Sequence, residues 1–227
     1  MVFPAPPIFD ETSLTERAYK ELEELVVTLR LKPGQVLSES VLVKHLEIGR
    51  TPIREALQQL AREGLVSILP RKGVIVSEIN VQSQLELLKV RREVERLMVR
   101  LAAARTTDPE RENFWELSEA MKAAGDAADG MTFIRLDKEF DTAVAVCCRN
   151  DVARRTMGLM QGLSRRFWYM YYEQARNLER SAYLHASVAE AISSGDEEAS
   201  AKASDALIDY IENFTRAALD GPASARK

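Results

Sequence analysis

Gly49-Arg50-Thr51-Pro52-Ile53-Arg54-Glu55-Ala56-Leu57-Gln58-Gln59-Leu60-Ala61-Arg62-Glu63-Gly64-Leu65-Val66 has a marked start, one apolar face and a marked stop. Thr51 is of a residue type that caps helix N-termini, and Pro52 suits a first helical position, where no amide donor is needed. Ile53, Ala56, Leu57 and Leu60 recur at helical spacing and predict a buried face. Gly64 is placed to end the helix in the left-handed conformation. Arg50 and Arg54 stand at the leading end, off the apolar face. A helix with arginines at that end has the shape that enters a DNA major groove, where a guanidinium grips guanine or phosphate through two hydrogen bonds.

The flanking sequence fits around this helix. The spacing predicts an upstream helix from about Leu14 to Leu29, with Ala18, Leu22, Leu25 and Val26 on one stripe. Leu31-Lys32-Pro33-Gly34-Gln35-Val36-Leu37 reads as a turn and a short extended piece. Ser38 and Glu39 open a second helix carrying Val41, Leu42 and Leu46. After the arginine helix, Leu65–Leu69 and Val74–Val76 read as two short strands around the basic tip Pro70-Arg71-Lys72-Gly73. Three helices and a hairpin make a winged helix-turn-helix, its wing tip placed to touch a neighbouring groove or phosphate.

Residues 14 to 78 resemble the GntR family of bacterial transcription regulators. The resemblance rests on Pro33-Gly34, Arg50 to Leu57, Glu63-Gly64-Leu65-Val66 and Arg71-Lys72-Gly73, which occur in that order at family distances. Gly49 departs from the serine common there, a change that removes one phosphate contact and keeps both arginines. The resemblance implies contact with double-stranded operator DNA through Arg50, Thr51, Arg54, Arg71, Lys72 and Gly73.

A chain of 227 residues has room for two cores, and 46% hydrophobic with 29% charged residues is ordinary for a globular protein. No apolar run of 18 residues predicts a membrane span, and Met1–Asp10 lacks the layout of a secretion signal. A cytoplasmic location and a loose N-terminal arm are therefore expected. Cys147 and Cys148 are adjacent, which suits neither a disulfide framework nor a zinc knuckle. The net charge of −4 excludes a wholesale basic nucleic-acid binder. Residues 50 to 72, however, hold five basic side chains against two acidic ones. Solvated surface charge is the plain explanation of such a run; the family pattern turns it into a reading edge.

The boundaries expected are residues 10–78 for the winged helix and 81–220 for an all-helical domain, making the chain mainly α. From Val81 on, breaks at Asp108-Pro109, Asp129-Gly130, Asn150-Asp151, the region before Leu178, and Gly195-Asp196 cut the pattern into six helices, an antiparallel bundle. Gly125 reads as a weak point. The tail after Asp220 is expected to be disordered.

This second part resembles the FadR subfamily, whose helical domain is called FCD. The matching motifs are Arg91 with Val94-Glu95, Leu136-Asp137-Lys138-Glu139-Phe140-Asp141 with Asn150, and His185 with Ile192 and Gly195-Asp196. The resemblance implies a homodimer and a small-molecule effector, an organic acid, as in a repressor released by its ligand. It also implies a divalent metal held at four positions, which here are Asp137, Asp141, His185 and Leu207. An aspartate stands where the second ligand is usually histidine, and Leu207 coordinates nothing. Asp137 and Asp141 share one helix face, so with His185 they make an open site for zinc, manganese or magnesium. Ion pairs to arginines such as Arg91, and a core role for His185, compete with that reading. Arg165-Arg166-Phe167-Trp168-Tyr169-Met170-Tyr171-Tyr172 reads mainly as packing, with Arg165 or Arg166 beside Tyr169 or Tyr172 as the alternative wall of an effector pocket. Arg91, Asp137, Asp141, His185 and Arg166 are thus the effector-site candidates. Two other classes stay open: a metal-dependent enzyme using Asp137, Asp141 and His185, although no nucleophile motif or cofactor fingerprint accompanies them, and an effector-independent DNA-binding protein.

Overall fold

The computed structural model describes residues 13–69, 73–175 and 178–220. The arm Met1–Asp10, the wing-tip residues Arg71 and Lys72, and the tail after Asp220 lie outside the described residues. The chain divides after Ser77 into two compact units. Nine helices and three strands lie among the described residues.

The first unit runs α1 (Leu14–Val27), β1 (Val36–Leu37), α2 (Glu39–Leu46), α3 (Arg50–Arg62), β2 (Val66–Leu69) and β3 (Gly73–Val76). The Ser13 hydroxyl caps α1 by accepting from the Glu16 N–H at 3.1 Å. α3 buries Ile53, Ala56, Leu57 and Leu60, the four residues its period singles out. Gly64 closes it at φ 75°, and the Leu65 N–H reaches back to the Leu60 carbonyl at 2.9 Å. The start of α3 differs from the expectation. Gly49 is the N-cap, with no side-chain cap bond, so Thr51 lies inside the first turn. Pro52 is the third helical residue, still harmless because first-turn amides have no intrahelical partner. The sheet also gains a strand: β1 pairs with β3, and the order is β1-β3-β2, all antiparallel. Gly73 faces Leu69 across the hairpin at φ 90°, a conformation that favours glycine.

The second unit is α4 (Val81–Arg105), α5 (Asp108–Asp126), α6 (Gly130–Cys147), α7 (Asp151–Ala175), α8 (Leu178–Ser194) and α9 (Glu197–Asp220). Asn80 caps α4 through the Ser83 N–H at 2.9 Å. The core gathers Leu88, Met98, Phe114, Met121, Phe140, Met157, Ile192 and Leu207. Cys147 and Cys148 are buried thiols at the end of α6. Gly125 is a packing requirement rather than a flaw, since a Cβ there would stand 2.8 Å from the Ala182 Cβ of α8.

Thr107-Asp108-Pro109-Glu110 starts α5 with a reciprocal cap. The Glu110 carboxylate accepts from the Thr107 N–H at 2.8 Å and from Arg149 Nη2 at 2.9 Å. The Thr107 amide first, then Arg149, hold the Glu110 carboxyl down at about 2 from an ordinary 4.5. A depressed folded-state value means the stabilisation is complete above the ordinary value and fades as pH falls towards 2. Glu110→Ala is expected to cost about 1 kcal/mol at pH 7, or roughly 2–4 °C in thermal midpoint. Melting curves followed by circular dichroism should show the gap closing near pH 2.

Candidate functional site

The leading end of α3 is built by what is buried behind it. Its apolar face is seated against α1, and α1 also takes up the nearby acids. Thr15 Oγ1 donates to Glu55 at 2.6 Å, and the Tyr19 hydroxyl donates to Glu63 at 2.9 Å. Arg50, Thr51 and Arg54 remain exposed. Arg54 Nε donates to Glu39 of α2 at 2.7 Å. That bond orients the guanidinium and leaves its Nη1–Nη2 edge, a two-donor fork of the kind that reads guanine.

The second site is a cavity of about 30 Å³ in the bundle, between α6, α7 and α8 with contributions from α4 and α9. One water needs roughly 10–15 Å³, so this is room for an ion-sized group and a water. Asp137 and Asp141 enter it from α6, one turn apart. His185 of α8 sets Nε2 3.2 Å from Asp137 Oδ1. Its Nδ1 lies 2.7 Å from the Ser181 carbonyl, which accepts only if Nδ1 carries the proton. Arg165 of α7 donates from Nη1 to Asp141 Oδ2 at 2.6 Å. Arg91 of α4 lines the wall while its Nε donates to Glu95 at 2.6 Å. Phe133 covers His185 edge-on, with ring centres 5.2 Å apart. The Ser181 hydroxyl is fully buried at the cavity and has no hydrogen-bond partner among the described residues.

The electrostatics separate the two aspartates. Burial pushes the Asp137 carboxyl up, but His185, Arg165 and Arg91 outweigh it and leave the value lowered. Burial and then the charge of Asp137 push Asp141 well above the ordinary carboxylate range, against the pull of Arg165. Burial opposes the charge on His185, yet Asp137 and the Ser181 carbonyl leave its value raised.

The comparisons with known proteins agree on one lineage. Residues 14–76 match the bacterial regulatory proteins of the gntR family, and residues 86–210 match the FCD domain. This chain belongs to the FadR-like branch of the GntR family. The Nta operon transcriptional regulator of Aminobacter aminovorans is 27% identical over 163 residues, 71% of this chain and 76% of that one. The repressor RspR of Escherichia coli is 23% identical over 203 residues, 89% of each chain. Among solved structures, E. coli McbR/YncC aligns with a TM-score of 0.76 at 21% identity, over 91% of this chain and 98% of that one. This GntR-family protein is a DNA-binding transcriptional regulator, not an enzyme. Among the described residues, no helix is long and apolar enough to cross a membrane.

Several candidate residues meet in the FCD cavity: Arg91, Asp137, Asp141 and His185. Arg166 does not. One residue along α7 is a 100° turn, so Arg165 enters the cavity while Arg166 Nη2 donates to the Glu78 carbonyl at 3.2 Å. Burial pulls Arg166 down to about 10, leaving it cationic. Tyr172's side chain lies outside the description. Sequence reasoning missed Gln161, Ser164 and Ser181. Helical spacing held the signal: Ser181 precedes His185 by one turn, and Gln161, Ser164, Arg165 and Trp168 share a stripe.

A metal needs more donors than this arrangement offers. Asp141 is bound to Arg165, Leu207 is packed in the core, and no group of three His, Cys, Asp or Glu side chains able to hold an ion occurs among the described residues. Asp137 and His185 alone do not fit a resident divalent ion.

Arg50→Ala should weaken binding to a duplex carrying the promoter of the regulator's own gene by about 1–3 kcal/mol, roughly 5- to 150-fold. Fluorescence anisotropy at fixed salt measures this; unchanged affinity would remove Arg50 from the reading surface.

Proposed function

We propose that a small organic acid bound in the FCD cavity controls the grip of a homodimer on a near-palindromic operator. The observation that carries the reading is the buried Arg165–Asp141 pair beside the unpartnered Ser181 hydroxyl. A ligand carboxylate can take the place of Asp141 on Arg165, with Arg91 close by and the Ser181 hydroxyl as a further donor. An acid of three or four carbons exceeds the present space, so its entry parts α6 from α7. Binding then favours one arrangement of the bundle, by no more than its difference in affinity for the two arrangements. Two copies match two half-sites related by a two-fold axis. The named relatives include repressors, which supports repression lifted by the acid.

The test is a thermal-shift screen of mono-, di- and tricarboxylates of two to six carbons, repeated with manganese and zinc alone, and followed by anisotropy on operator DNA. At least one acid is expected to raise the midpoint of the metal-free protein and to change operator affinity. A hundredfold excess over Kd stabilises by about 2.7 kcal/mol. Intact operator binding with no response to any acid would leave an effector-independent DNA-binding protein. A response that appears only with manganese or zinc would restore the metal between Asp137 and His185.

A further inference from the structure

Three acidic side chains lie on or beside α3, and they are used differently. Glu55 and Glu63 accept from Thr15 and Tyr19 of α1, at 2.6 and 2.9 Å. Glu39 stands in the first turn of α2 and meets an arginine instead, its Oε2 2.7 Å from Arg54 Nε. Apolar burial behind both residues holds them in place. Leu42 and Leu46 follow Glu39 along α2 and are buried, and so is Ile53 next to Arg54. The pair itself is open to solvent, with side chains 35% and 61% exposed. An ion pair that exposed contributes little to the fold. A first-turn acid also favours α2 without reaching across to α3, so neither stability nor capping accounts for where the carboxylate points.

The pairing makes the two arginines unlike each other. Arg50 and Arg54 are one turn apart on one face of α3. Among the described residues Arg50 takes part in no ion pair, whereas Arg54 does. A bare guanidinium attracts any phosphate within reach, whatever the sequence. At Arg54 an incoming phosphate meets the Glu39 carboxylate close behind the guanidinium, and like charges repel. The edge of a base carries no net charge and meets no such penalty. With Nε engaged, the parallel donors that remain are those of the Nη1–Nη2 edge, which fit guanine O6 and N7.

We propose that Glu39 is a specificity-determining residue of the DNA-binding unit. It holds Arg54 by Nε and repels phosphate, so that this guanidinium is confined to a guanine edge in the major groove. Sequence-independent attraction is left to Arg50. Glu39 acts through Arg54 and is a positioning residue. The inference rests on the α3 reading surface described above.

Fluorescence anisotropy of the full chain tests it, on the duplex carrying its own promoter and on a scrambled duplex of the same composition, across a salt series and with the thermal midpoint recorded. Glu39→Gln keeps the shape and removes the charge. It is expected to bind the scrambled duplex roughly two- to fivefold more tightly. Its log–log salt dependence should steepen by about 0.9 for each subunit bound. Its preference for the promoter over the scrambled duplex should fall about tenfold, with the midpoint close to wild type. Glu39→Asp keeps the charge and should keep the wild-type salt slope. In an Arg54→Ala background, Glu39→Gln should leave the preference where Arg54→Ala alone puts it. Glu39→Ala, read the same way, guards against a folding defect peculiar to the amide. If Arg54→Ala loses the preference and Glu39→Gln retains it, this inference is overturned and the α3 reading stands. A lowered midpoint with both duplexes weakened alike would make Glu39 merely structural and overturn it too. A wild type with no preference, or an Arg54→Ala variant as selective as wild type, would overturn the α3 reading and this inference together.

Discussion

Two carboxylates one turn apart on α6 face a packed interior, and that interior must answer each charge separately. Asp137 is answered by His185 of α8, and Asp141 by Arg165 of α7. Three helices are thereby tied at one point by bonds that have direction, unlike the apolar contacts around them. Buried ion pairs are poor stabilisers, because the lost hydration of both charges offsets most of their attraction. A bundle built only for stability would place leucine and methionine there, as it does at Leu207. Retaining five ionisable groups around a small cavity, with a serine hydroxyl left unsatisfied beside them, is understandable if something else completes the set. On the proposed effector reading, the arrangement costs stability until the ligand completes it.

The winged helix follows a different logic. At the leading end of α3 Ile53 is buried, while Arg50, Thr51 and Arg54 stand exposed. The apolar side of the helix is locked, its glutamates are engaged by Thr15 and Tyr19, and Arg50 and Arg54 are what remains at the surface. A chain that is acidic on balance thus presents arginines at the end of the helix that meets DNA, and a net negative charge keeps attraction to arbitrary sequences low.

Much of the fold was legible because its signals are local. The period of α3, the stop at Gly64, and the breaks at Pro109, Gly130, Asp151 and Gly195 set helix bounds to within a few residues. What escaped depends on long-range geometry or on chemistry too small to leave a pattern. Val36–Leu37 is too short to show a strand period, and only β3 makes it one. Thr51 has the better capping side chain, but backbone geometry gives the cap to Gly49. Gly125 looks like a defect until Ala182 is set against it. Arg165 and Arg166 are adjacent in a run apolar on both sides, so no periodicity says which one enters the cavity. Ser181 carries no hydrophobic signal at all; its place one turn before His185 was the only clue.

Replacing the buried pair by apolar residues of similar size, Asp141→Leu with Arg165→Met, measures directly whether those charges serve a ligand or the fold. If they are held for binding, the double variant melts at or above the wild-type midpoint, by up to about 1–4 kcal/mol of added stability, and its midpoint no longer responds to any acid that shifts the wild type. A variant that loses its cooperative transition, or one that still responds to the acid like the wild type, would contradict the account.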